Sequence, residues 1–118
     1  MKLFNKTKNI YLTEDLREAN SFSDKLLGMI KNSNLGGWSC RTRFGIHTFF
    51  LKKPIDVIIL DDHGKVVKIA SMLPNNLFFW NPKYSHVLEL PAGIIKKTKT
   101  EVGDILSLRS GETGEAIS

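Results

Sequence analysis

Bulky apolar residues come along this chain in short runs broken by glycine, proline or clustered Asn and Asp, the punctuation of β-structure. The centre of the pattern is the stretch 45–67, GIHTFFLKKPIDVIILDDHGKVV. Consecutive bulky residues at 47–51 predict a strand buried on both faces or lying under a helix. By parity His47, Phe49 and Leu51 share one face, and Thr48, Phe50 and Lys52 the other. Pro54 has no N–H to donate, so a ladder must bend or change edge there. A second strand is predicted over 56–60, around Val57-Ile58-Ile59. Asp61-Asp62-His63-Gly64 then reads as a turn, with Asp accepting local amides and Gly64 supplying a left-handed residue. Residues 65–70 return antiparallel, with Val67 and Ile69 inward and Lys68 outward.

The remaining chain extends the same architecture. A first strand is expected over 9–13, with Ile10 and Leu12 on one face, then a polar loop or short helical turn over 13–20. Ser21 or Ser23 can cap a helix over 24–30, whose apolar positions Phe22, Leu26, Met29 and Ile30 recur at spacings of three and four. Asn32-Ser33-Asn34 and Gly36-Gly37 end it. Further strands are predicted over 38–43, 85–90 and 104–109, with a short helical turn over 92–97. The segment 71–83 is a long connection in which Leu77-Phe78-Phe79-Trp80 is set among Pro and Asn. Such a loop either folds back to plug a sheet end or presents an adhesive patch. The sum is a mostly-β α+β domain: a compact, curled or barrel-like, mainly antiparallel sheet with one flanking helix and a short second helix. One globular domain is expected over 1–109. The tail 110–118 lacks large residues before Ile117 and is expected to be disordered.

Composition narrows the class. A chain of 118 residues sustains one core. No apolar run reaches the ~20 residues of a membrane helix, so no transmembrane segment is predicted. The basic start has no apolar segment behind it and does not read as a secretory signal. A single cysteine excludes an internal disulfide and fits a reducing compartment, with the cytoplasm the default. The net charge is +5, yet the lysines are scattered, which argues against nucleic acid as the partner.

The motifs Ile46-His47-Thr48-Phe49-Phe50-Leu51, Pro54-Ile55-Asp56-Val57-Ile58-Ile59-Leu60-Asp61 and Gly64 before Val66-Val67 resemble those of a family of small bacterial and archaeal proteins, domain of unknown function 192. Leu26-Leu27-Gly28-Met29, Leu73-Pro74, Val87-Leu88-Glu89-Leu90-Pro91-Ala92-Gly93 and Gly103-Asp104 extend the resemblance over residues 20–109. It implies a β-rich, partly barrel-like fold with a flanking helix and brings no assigned activity. Leu51 stands where the family usually has Met, Lys53 replaces an uncharged residue, and Phe78-Phe79-Trp80 is not a family hallmark.

Several side chains are candidates for chemistry. Asp56, after the proline break, can satisfy local amides, pair with Lys52, or serve as acid or base. Glu89 points away from the face of Leu88 and Leu90, toward solvent, an ion pair or a cleft. If the two carboxylates converged they would make an acid/base pair. His47 shares a face with Phe49 and Leu51 and is either a satisfied core imidazole or a ligand and proton-transfer group. Cys40 beside Arg41 and Arg43 is either a buried hydrophobe or an activated nucleophile. No histidine pair has metal-ligand spacing, and no phosphate or dinucleotide loop is present, so no metal or cofactor is expected. The reading that follows is a non-catalytic module binding an unknown small molecule or peptide in a groove rimmed by His47, Lys52, Asp56, Trp80 and Glu89. The alternatives are a small hydrolase or transferase using His47 with Asp56 or Glu89, or a nucleic-acid binder.

Overall fold

The structure, a computed structural model, describes residues 1–18, 36–43, 45–48 and 53–109. The expected helix over 24–30, the 49–52 half of the strand at His47, Lys52 itself and the tail from 110 lie outside the described residues.

The described residues form three open sheets in three layers. The middle layer contains β3 (Arg17–Glu18), β4 (Trp38–Arg41), β6 (Ile55–Leu60), β7 (Val66–Met72) and β9 (His86–Pro91), in the order β3-β4-β9-β6-β7. All its pairs are antiparallel except β3 with β4. Every residue of β6 is buried, so its apolar run feeds two cores at once. Ile58 and Leu60 join Leu88 and Leu90 in a first cluster, while Val57 and Ile59 join Val87 in a second. The first cluster is covered by the sheet of β1 (Lys2–Asn5), β2 (Ile10–Thr13) and β10 (Leu106–Arg109), through Leu3, Leu12, Leu106 and Leu108. The second is covered by β5 (Gly45–His47) paired with β8 (Leu77–Phe79), through Ile46, Phe78 and the following Trp80.

The mostly-β α+β class is as expected, but the described strands do not close into a barrel. A barrel gives each strand one interior face, whereas β6 and β9 need cover on both. The turn after β6 forms as read. The Asp61 carboxylate accepts the amides of His63 and Lys65 at 2.8 and 2.9 Å. Gly64 has φ 83°, and a Cβ there would lie 2.5 Å from the Leu106 carbonyl oxygen. Val67 and Ile69, expected on one inward face, instead pack against different clusters, because the β6–β7 register shifts at Ile59/Leu60.

The short helix is α1 (Ile94–Thr98), entered through left-handed Gly93. Strand β1 was not expected: its segment reads as basic and polar, but Leu3 and Asn5 are both buried. Residues 17 and 18, expected in a loop or helical turn, pair with β4. No described helix is long and apolar enough to cross a membrane.

Candidate functional site

The residues nominated from sequence are distributed over both faces of the middle sheet. Asp56 is opposite Leu90 across β6 and β9, on the side of the first cluster, whereas Glu89 is opposite Val57, on the side of the second. They therefore do not form an acid/base pair. The Asp56 carboxylate is buried and engaged in structure. One oxygen accepts the Ser71 hydroxyl at 2.9 Å, and the other accepts the amides of Gly93 and Ile95 at 3.1 and 2.9 Å, fixing the start of α1. Glu89, expected in solvent, an ion pair or a cleft, is only 3% exposed.

His47 alternates with Ile46, whose side chain enters the second cluster, so His47 leaves β5 on the outward side. The second cluster and the sheet then separate it from Asp56. Trp80, nominated as a groove residue, is buried in the second cluster, with its Nε1 donating to the Tyr84 carbonyl at 2.8 Å. The connection 71–83 does both things expected of it: Phe78 and Trp80 plug the core, and Leu77 and Phe79 remain exposed. Cys40 is buried on the second-cluster face, and Arg41, the next strand residue, points to the other side.

The structure assembles a different set of groups between the first two layers. β4 and β9 pair with Ser39 opposite Leu88 and Arg41 opposite His86. Ser39, Arg41 and His86 thus share the first-cluster face, beside the end of β6. There they meet the 61–64 turn and β10 around a cavity of about 190 Å³. Its floor is apolar, made by Leu3, Leu60, Leu106 and Leu108. Its polar wall is Arg41, Asp61, Asp62, His86 and Ser107.

Electrostatics fix the state of these groups. Burial, reinforced by the nearby Arg41 charge and opposed by Asp62, lowers the His86 pKa to about 4. The imidazole is therefore neutral at physiological pH, with one donor and one acceptor nitrogen. Its Nε2 is hydrogen-bonded to the Ser39 hydroxyl oxygen at 2.9 Å. Burial pushes the Asp61 carboxyl up, but the Lys65 and His63 amides outweigh it and hold the group below its ordinary value, so it is ionised. A guanidinium, a neutral imidazole and two carboxylates over a leucine floor can bind a compact molecule bearing both donors and acceptors. Ser39 and His86 have the separation of a nucleophile and its base. Ser39 is buried and is not part of the cavity lining, so the contact serves to orient the ring. Among the described residues no group of three or more His, Cys, Asp or Glu is arranged to hold a metal ion.

In sequence Arg41 stands out only as a neighbour of Cys40, and His86 is ordinary alone. Both strands were predicted, but only their register places the two side chains together, and register between distant strands is not local information.

Residues 6–108 match the model of the family domain of unknown function 192, described as "Uncharacterized ACR". A UPF0127 protein of Pyrococcus horikoshii is 30% identical over 108 residues, covering 86% of this chain and 94% of its own. Two crystal structures share the fold with a TM-score of 0.73. One, described as a candidate transcription regulator, is from Sinorhizobium meliloti, with 17% identity over 89% of this chain and 88% of that one. The other, a protein of unknown function from Novosphingobium aromaticivorans, has 15% identity over 91% and 82%.

Proposed function

Because this chain belongs to domain of unknown function 192, an uncharacterised family, we propose its role from the cleft itself: a non-catalytic module that binds a small polar metabolite between its first two layers. The observation that carries this reading is the neutral, buried His86 beside Arg41 at the wall of a leucine-floored cavity. Polar groups converging over an apolar floor are the usual composition of a small-molecule site. The volume of about 190 Å³ falls below the ~300–1,000 Å³ of sites for drug-sized ligands, which favours a ligand of monosaccharide or amino-acid size over a peptide. Arg41 suits a carboxylate or hydroxyl acceptor and Asp62 a hydroxyl or ammonium donor. The single cysteine supports a reducing, cytoplasmic setting.

The test is a screen of sugars, amino acids and small carboxylates by thermal shift and by imidazole NMR. A ligand should raise the melting temperature saturably and move the His86 ring resonances, and Arg41→Ala should abolish both effects. A ligand that binds the Arg41→Ala protein equally well and leaves His86 unmoved would end this reading.

A further inference from the structure

On the side of the molecule away from the cleft, three apolar side chains are held in solvent by a fixed backbone. Leu77 and Phe79 are 57% and 60% exposed and alternate in β8 with the inward Phe78. Leu73 is 66% exposed, on a turn clamped by Thr48. The Thr48 hydroxyl donates to the Leu73 carbonyl at 2.8 Å and accepts the Asn76 amide at 2.9 Å. The Thr48 backbone exchanges two further bonds of 3.0 Å with Asn75 and Asn76. Gly45 faces Phe79 across the β5–β8 pair, and a Cβ there would come within 2.6 Å of the Phe79 ring. The exposure is therefore built in, and a rigid apolar patch on a small domain marks an interaction surface.

The charge around the patch selects the partner. Segments 42–55 and 66–88 hold five Lys and Arg and no Asp or Glu. Lys68 Nζ donates to the Phe79 carbonyl at 2.8 Å and lies 4.9 Å from the Phe78 ring centroid. Arg43 accepts the Gly45 amide at its carbonyl and donates to the Pro82 carbonyl at 2.6 Å, at the Phe79 end of β8. Asp61 and Asp62 lie at the opposite end of the β6–β7 hairpin from Leu73, about 20 Å along the strands at 3.3 Å per residue.

We propose that this face docks on an anionic phospholipid surface. Leu73, Leu77 and Phe79 enter the boundary between headgroups and acyl chains, and Arg43 and Lys68 meet lipid phosphates. Apolar tips flanked by long cations suit a fluid, anionic interface. A single-strand nucleic-acid site would instead need a series of aromatic stacking surfaces, and among the described residues this patch exposes one phenyl ring, Phe79. The inference is independent of the cleft.

The test is flotation of the full chain with phosphatidylcholine vesicles, with and without phosphatidylglycerol. Binding is expected only with phosphatidylglycerol at about 0.1 M salt, and release at about 1 M. Leu77→Ser with Phe79→Ser should weaken binding about tenfold or more, and Leu73→Ser, outside any strand, should weaken it without touching the β5–β8 pair. No flotation with anionic vesicles at low salt would overturn the proposal. So would binding unchanged by all three serines, or binding to a single-stranded oligonucleotide in preference to the vesicles.

Discussion

Asp56 and Glu89 sit on adjacent strands one register step apart, yet their carboxylates leave the sheet on opposite sides. That step separates two residue types that a sequence reading readily combines into an acid/base pair. It also gives Asp56 its actual task, joining β6 to β7 and to the start of α1.

Asp56→Ala leaves the amides of Gly93 and Ile95 and the Ser71 hydroxyl without their buried acceptor. The expected cost is about 2–4 kcal/mol, combining a lost cap with orphaned donors. Asp56→Asn should lose a similar amount, since an amide nitrogen cannot accept where the second oxygen does. Urea denaturation measures both, and a change below about 0.5 kcal/mol, typical of a surface substitution, would contradict this assignment.

His86 should make stability fall with acid at a pH where most carboxylates remain ionised. Its folded pKa, about 4, lies below the ordinary 6.5, so between these values the unfolded chain binds a proton that the folded chain does not. Stability therefore rises with pH through this window and is lost as pH falls from 6.5 toward 4, by up to about 3 kcal/mol. His86→Gln should flatten that part of the stability profile relative to the parent protein. Imidazole NMR should show the ring neutral at pH 6, and a His86 titration midpoint near 6.5 would refute the burial argument.

Asn5 and Asp104 tie the first strand to the loop before β10. Asn5 Nδ2 donates to Asp104 Oδ2 at 2.9 Å and to the Thr100 hydroxyl at 3.2 Å. Burial raises the Asp104 carboxyl, but hydrogen bonds from Asn5, the Glu101 amide and Lys8 outweigh it and hold the pKa below the ordinary 3.8. The depressed value stabilises the fold above 3.8, and that contribution is lost as pH falls through the folded pKa. Asp104→Ala should cost about 2–3 kcal/mol by removing the buried acceptor shared by Asn5 and the Glu101 amide. Asn5→Ala combined with Asp104→Ala should cost less than the sum of the two, and strict additivity in a double-mutant cycle would show that they do not interact.

Trp80 should behave as a core residue. Trp80→Ala is expected to cost about 3–5 kcal/mol. Trp80→Phe should recover most of the packing while leaving the Tyr84 carbonyl without its donor. Ligands of the cleft should not shift Trp80 fluorescence, since Trp80 lies in the second cluster, across the sheet from Arg41 and His86.

The fold was legible where local chemistry decides conformation. The β-branched run at Val57-Ile58-Ile59, the 61–64 turn and the alternation at 86–90 each specify their own backbone. What could not be read is what depends on pairing across long stretches of chain. β1 gains its place from Leu3 beneath Leu60 and Leu88 and from Asn5 meeting Asp104, both remote partners. The cleft is a product of the same kind, since Arg41 and His86 are opposite each other only once β4 and β9 are in register. The nominated groove residues stood out chemically, but Asp56 and Trp80 stood out because they solve packing and hydrogen-bonding problems. The resemblance to the family implied the fold type and carried no site.

β1 pairs with β10, Lys2 opposite Arg109. On the ribosome, β1 has to wait for β10 before its ladder on that edge exists. Until residue 109 clears the exit tunnel, Leu3 and the first-cluster side of β6 and β9 have no complete roof. Until β10 pairs, the domain should stay open to chaperones, and it should gain its final protection against proteases only when that edge closes.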